Sequence, residues 1–218
     1  MHVISVSVGM PREVVWKGAT VRTAIFKGSV DGAVTINALN LEGDNQADLS
    51  VHGGRDKAVY AYPAEHYKYW RQELPDISFS WGMFGENLTT HGLLEESVHV
   101  GDQFSVGSAE LVVTQPRMPC YKLGVRFQSD DMVKRFLLSG RTGFYFAVGR
   151  EGKVGPRDQM KLVRPDENAV PISEITRLYV AKRYCDADIA FVRRALRVSA
   201  LPENWKAYFR QRVQRANP

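Results

Sequence analysis

Cysteine is scarce: among 218 residues only Cys120 and Cys185 occur. Two thiols exclude a disulfide scaffold and a four-thiolate iron–sulfur cluster carried by the chain alone, and they suit a reducing, cytoplasmic compartment. Long apolar runs are missing too. The longest stretch without Asp, Glu, Lys or Arg is Met1 to Pro11, far short of the ~20 apolar residues of a membrane span. That opening alternates like a strand and has no basic leader, so neither a signal peptide nor a membrane partner is expected. No G-x-G-x-x-G follows a strand, and neither G-x-x-x-x-G-K-[ST] nor H-E-x-x-H is present. The five histidines (His2, His52, His66, His91, His99) lack paired ligand spacing.

What is there is ordinary globular material, 44% hydrophobic and 24% charged. Short β-branched or aromatic runs at Val3–Val8, Val30–Ile36, Lys57–Tyr62, Val98–Val106, Ala109–Thr114 and Phe144–Val148 predict strands. Gly101-Asp102 and Gly107-Ser108 stand at hairpin spacing. Many short strands with glycine turns predict a mainly β fold, a closed barrel over residues 1–165. Two helices interrupt it. One starts near Pro63 with Tyr67, Trp70 and Leu74 as its stripe, and one runs from about Asp130 to Leu138. After Arg164-Pro165 the period becomes helical: Ser173–Tyr184, Ala187–Val198 and Glu203–Val213 predict a three-helix segment over 172–218 packed against the barrel. Asp186 is the expected cap of the second helix and Pro202 fits the first turn of the third.

Charge is uneven. Residues 171–218 hold 10 Lys and Arg against 4 Asp and Glu, while the first 170 hold 19 against 20. A basic tail serves nucleic acid, an acidic protein partner or a solvated helical surface. Its aromatic residues fall on stripes suited to packing, so nucleic acid is not the expected partner.

Three loop segments carry the chemistry. In Gln115-Pro-Arg-Met-Pro-Cys120-Tyr-Lys122-Leu, two prolines stiffen the turn and Arg117 and Lys122 bring cations near the thiol. Such a setting favours thiolate, a nucleophile or a ligand for a soft metal. A free cysteine is otherwise most often a small buried hydrophobe, the ordinary reading for Cys185. Val51-His52-Gly53-Gly54-Arg-Asp-Lys57-Ala and Phe84-Gly85-Glu86-Asn87-Leu offer backbone N–H groups where glycine permits close approach of an anion. Lys57 and Asn87 add side-chain donors. Most Gly-Gly pairs are plain turns, so the weight comes from all three segments meeting at one barrel mouth. On residues alone, Cys120 as hydrolase nucleophile, with His52 as base and Asn87 or Asp44 as orienter, stays open.

Taken together with Leu41-Glu-Gly-Asp44, these segments resemble the MOSC-domain proteins of the YiiM subfamily, nearly over the whole chain. The resemblance implies a MOSC-type β-barrel followed by a three-helix segment, binding the molybdenum cofactor, a pterin dithiolene bearing Mo and a phosphate. It implies Cys120 as the protein ligand to Mo and reduction of small N-hydroxylated substrates, hydroxylaminopurines included, to amines. His52 is then the candidate proton donor or substrate contact. Gly53, Gly54, Lys57, Gly85, Glu86, Asn87, Gln115, Arg117 and Lys122 are candidate cofactor contacts. Asp44 would orient His52 or Lys57, or only close its own turn. With no nucleotide fingerprint, electrons are expected from a separate flavin or iron–sulfur reductase. A carrier or sulfur-transfer module is the alternative reading, and a homodimer is left open.

Overall fold

The computed structural model describes residues 1–47 and 53–216. Its elements in chain order are β1 (His2–Val8), β2 (Arg12–Trp16), β3 (Ala19–Thr23), β4 (Gly28–Ser29), β5 (Val34–Ile36) and, after a 3₁₀ turn at Arg55–Lys57, β6 (Val59–Pro63). Next come α1 (Glu65–Glu73), β7 (Leu88–His91), β8 (Gln103–Val106), β9 (Ala109–Pro116), α2 (Tyr121–Phe127) and α3 (Met132–Leu138). The chain continues with β10 (Phe144–Arg150), β11 (Gly152–Val154), β12 (Met160–Arg164), α4 (Ile172–Val180), α5 (Asp186–Ala195) and α6 (Glu203–Ala216).

Eight strands form one sheet in the order β12-β8-β9-β10-β6-β7-β1-β4. The pairs are antiparallel except β6 with β7, whose connection holds α1 as a parallel crossover must. Among the described residues no continuous ladder closes this sheet into the expected barrel. β1 does bond the segment leading into β12: Val3 N to Asp158 O at 2.9 Å, Arg157 N to Val3 O at 2.8 Å and Met160 N to Met1 O at 3.0 Å. Two small pairs stand apart, β11 with β5 and β2 with β3.

β1 does not alternate strictly: a register shift between Val3 and Ser5 lets Val3 and Val6, three residues apart, both be completely buried. They join a core running through Val113, Phe144 and Phe146 into Ile175, Val192, Trp205 and Phe209 of the last three helices. Sheet and C-terminal helices therefore share one core, as so short a bundle needs. A second, aromatic core of Tyr60, Tyr62, Tyr67, Trp70, Phe84, Phe127 and Phe136 lies under α1, α2 and α3.

Several expectations need correction. The Val30–Ile36 run breaks into β5 and loop, and only Gln103–Val106 of the Val98–Val106 run is strand. The loop expected through Leu123 is helical from Tyr121. α5 is capped by Cys185, not Asp186: the Cys185 N–H donates to Asp188 at 3.0 Å in a reciprocal capping box. Pro202 precedes α6, and its carbonyl accepts from Trp205 N and Lys206 N.

Candidate functional site

β9 ends at Pro116, and the stiffened Arg117–Cys120 turn passes directly into α2, so Cys120 takes extended geometry at the N-cap (φ −120°, ψ 173°). Cys120 is half-buried and makes no disulfide. It lines a cavity together with Lys27, Asp44, Lys57, Tyr60, Gly85, Asn87, Arg117, Met118, Lys122 and Tyr145. Segments far apart in sequence thus meet at one partly open space, with six of the candidate residues in its lining.

Arg117 dominates its electrostatics. Only 6% exposed, its guanidinium carbon sits 4.9 Å from the Tyr60 ring centre and 5.2 Å from that of Phe136. Its backbone N–H donates to Gly143 O at 3.1 Å, and no carboxylate pairs with it among the described residues. Burial works against its charge, but the phenols of Tyr60 and Tyr145 and the Cys120 thiol hold it protonated, above the ordinary range. Burial also pushes the Tyr60 and Tyr145 hydroxyls up, leaving them neutral phenols at physiological pH. Lys122, buried on the first turn of α2, has no hydrogen bond or ion pair among the described residues. Burial lowers the Lys57 ammonium from its usual value, against the pull of Asp56.

Asn87 and Asp44 brace the wall. Asn87 Nδ2 donates to Asp44 Oδ2 at 2.8 Å while Asn87 Oδ1 accepts from Tyr60 N at 3.1 Å. Asp44 also accepts from Gly9 N and pairs with buried Lys27. Among the described residues Asp44 thus holds Lys27 and Asn87, while the expected contact with His52 lies outside them. Burial lowers the Lys27 ammonium, and Asp44 opposes that shift.

The other candidates fall elsewhere. Glu86, fully buried behind the cavity, accepts from Tyr67 Oη, Gly82 N, Phe84 N and Thr89 Oγ1, which fixes the Gly85 loop. Gln115 faces the C-terminal helices, donating to Asp56 O at 3.2 Å and accepting from Trp205 Nε1 at 2.8 Å. Gly53 and Gly54 precede the 3₁₀ turn and do not line the cavity; Gly54 has φ +92°. His52 lies outside the described residues. Sequence reasoning missed Lys27, Tyr60 and Tyr145. Isolated on or beside strands, they belong to no motif, and only burial marks them.

A sheet-rich domain with cations gathered around one thiol, followed by a helical segment sharing its core, defines a class that comparison identifies. Residues 48–161 match the MOSC domain and residues 170–216 the YiiM-like, 3-alpha helix domain, and the chain belongs to the MOSC-domain family, with the architecture of its YiiM members. It is 40% identical over 217 residues to the Bacillus subtilis (strain 168) protein YflK, covering 99% of this chain and 96% of that one. A Gibberella moniliformis (strain M3125 / FGSC 7600) protein named Reductase is 37% identical over 150 residues, 67% of this chain but 26% of that protein. The crystal structure of YiiM from Geobacillus stearothermophilus superposes with a TM-score of 0.80 at 32% identity, covering 97% of this chain and 98% of that one. The MOSC domain is generally a molybdenum cofactor-binding domain. No helix among the described residues is long and apolar enough to cross a membrane.

Proposed function

We propose that this chain is a molybdenum cofactor-dependent reductase of small N-hydroxylated compounds, hydroxylaminopurines among them. The observation that carries it is the cavity itself: a buried Arg117 and a buried Lys122, neither paired with a carboxylate among the described residues, beside the half-buried thiol of Cys120. A buried cation without a counter-charge favours an anionic ligand. Thiolate sulfur is a donor for a soft metal. This donor set fits a cofactor that joins a phosphate to a sulfur-ligated metal, with Arg117, Lys122 and Lys57 toward the anion and Cys120 toward the metal. Asn87, its amide spent on Asp44 and Tyr60, supports by bracing.

When bound, the cofactor supplies two-electron redox chemistry at a centre open to substrate oxygen. Cleavage of the N–O bond in R–NH–OH consumes two electrons and two protons and gives R–NH₂ and water. The chain's own part is to hold the anion, to exclude water from the half-buried thiol and to deliver protons. His52 is the proposed proton donor, because imidazole titrates near neutral pH. Electrons come from a separate flavin or iron–sulfur protein. The name of the fungal relative supports the reductase class.

Metal analysis of freshly purified protein tests the reading, with turnover of a hydroxylamine-type substrate separating an enzyme from a carrier. Stoichiometric molybdenum and reductase-dependent amine formation are expected. Protein free of molybdenum after expression in a cofactor-producing host, or activity with NADPH and no second protein, overturns it.

A further inference from the structure

Cys120 borders a second space. A cleft of about 410 Å³, which Arg117 does not line, runs between the turn at Pro116, Met118, Pro119 and Cys120 and the C-terminal helices. Its far wall is aromatic: Tyr179 from α4, with Trp205 and Tyr208 from α6. The three rings support one another. Tyr179 stands 5.6 Å from Trp205 at 65° and 5.3 Å from Tyr208 at 36°. Two hydrogen bonds fix their placement, Trp205 Nε1 to Gln115 Oε1 at 2.8 Å and Tyr208 Oη to Tyr179 O at 3.2 Å.

The two spaces differ in charge. The Arg117 cavity carries Lys27, Lys57, Arg117 and Lys122, whereas the cleft has Lys57 as its one charged lining residue among those described. Lys57, Met118, Cys120 and Tyr145 border both. A thiol therefore stands between a chamber rich in cations and an aromatic one with a single cation, Lys57, among its described lining, of small-molecule size.

Resting on the function proposed above, we infer that Tyr179, Trp205 and Tyr208 are specificity-determining residues for that reaction, forming the cleft wall that selects flat over saturated rings among its substrates. The C-terminal helices thereby complete the site. A planar ring gains from aromatic faces beyond its buried area, and the rigid anchoring of Trp205 and Tyr208 keeps the ordering cost low. A saturated ring of equal size loses the face-to-face geometry.

The test compares phenylhydroxylamine with N-cyclohexylhydroxylamine, equal in size but differing in flatness, on purified cofactor-loaded protein. Tyr208 is partly exposed on α6, so Tyr208→Ala is the variant, with its fold checked by circular dichroism against wild type and the milder Tyr208→Leu used where Ala unfolds the chain. Binding by calorimetry and the kcat/KM ratio of the two substrates are both read. In wild type the phenyl compound binds saturably and is preferred. In Tyr208→Ala its Kd and KM rise roughly threefold to tenfold with kcat little changed, and the preference shrinks accordingly. Phenyl binding that Tyr208→Ala weakens, without turnover in either protein, supports the cleft and sinks the reductase reading alone. Turnover with identical Kd, KM and substrate preference in both proteins overturns the cleft, as does no saturable binding of the phenyl compound by wild type.

Discussion

Trp205 Nε1 donates to Gln115 Oε1 at 2.8 Å across 90 residues of sequence, joining α6 to the strand that delivers the Cys120 turn. Trp205 is 5% exposed and Gln115 3%, so neither partner has bulk water as a substitute. Trp205→Phe keeps most of the packing and leaves a buried acceptor unsatisfied, at a cost of about 1–3 kcal/mol. For a chain of this size each kcal/mol lowers Tm by roughly 2–4 °C. Thermal unfolding followed by circular dichroism checks it, and an unchanged Tm would remove the bond from the stability account.

Arg117 separates folding from ligand holding. Arg117→Met retains an apolar stem against Tyr60 and Phe136 while removing a buried charge that no carboxylate partners among the described residues. Cofactor-free protein should therefore keep or raise its Tm. Affinity for the cofactor should fall about tenfold or more, the loss of a charge-assisted contact of ~1.5–3 kcal/mol, and molybdenum and phosphate content should drop with it. Full occupancy in the variant would place Arg117 with substrate or structure.

Alkaline stability follows from the aromatic core. Burial first, with Glu86 contributing, holds the hydroxyls of Tyr60, Tyr62 and Tyr67 well above their ordinary value of 10.0. With folded pKa values raised, their contribution is complete below pH 10 and is lost as pH climbs above it, because only the unfolded chain releases those protons. Tyr62→Phe should reduce the downward slope above pH 10 by up to about 1.4 kcal/mol per pH unit. Denaturant unfolding from pH 9 to 11 reads both slopes, and equal slopes would contradict the buried-phenol account.

Gly143 is the hinge under Arg117: its N–H donates to Glu95 Oε1 at 2.7 Å and its carbonyl accepts from Arg117 N. Its φ is +63°, and an added Cβ would press into the Ala61 carbonyl oxygen. Gly143→Ala should cost about 1–3 kcal/mol from the dihedral alone, with the overlap in addition, and should also lower cofactor occupancy by displacing Arg117. Wild-type Tm in this variant would show that the turn relaxes freely.

Much of this was legible in the sequence because proline restricts the backbone locally and glycine marks where it turns tightly or takes positive φ. The Pro116–Cys120 turn, the Gly85–Asn87 loop and Lys57 meet at one cavity because each is a rigid connection leaving a strand or a turn. What stayed hidden depends on tertiary neighbours. Tyr121–Phe127 contains Gly124, which reads as a helix breaker. The structure needs glycine there because a Cβ would stand 2.8 Å from Ser129 O, where the chain folds back over the helix. The β2–β3 hairpin shows little alternation since both faces are largely exposed. Lys27 became a wall residue only through Asp44, seventeen positions away.

The two cysteines give the most direct test of the site. Cys185 is exposed at the start of α5 and spends its polar groups on Asp188. Cys185→Ala should leave activity and molybdenum content near wild type. Cys120→Ala should abolish reduction, because the proposed metal loses its only protein sulfur, whereas residual molybdenum is expected through the phosphate held by Arg117 and Lys122. Loss of activity alone does not discriminate, since a nucleophilic Cys120 would give the same result. X-ray absorption at the molybdenum edge does: wild type should show one more sulfur neighbour than Cys120→Ala. Equal sulfur counts in the two proteins would take Cys120 off the metal.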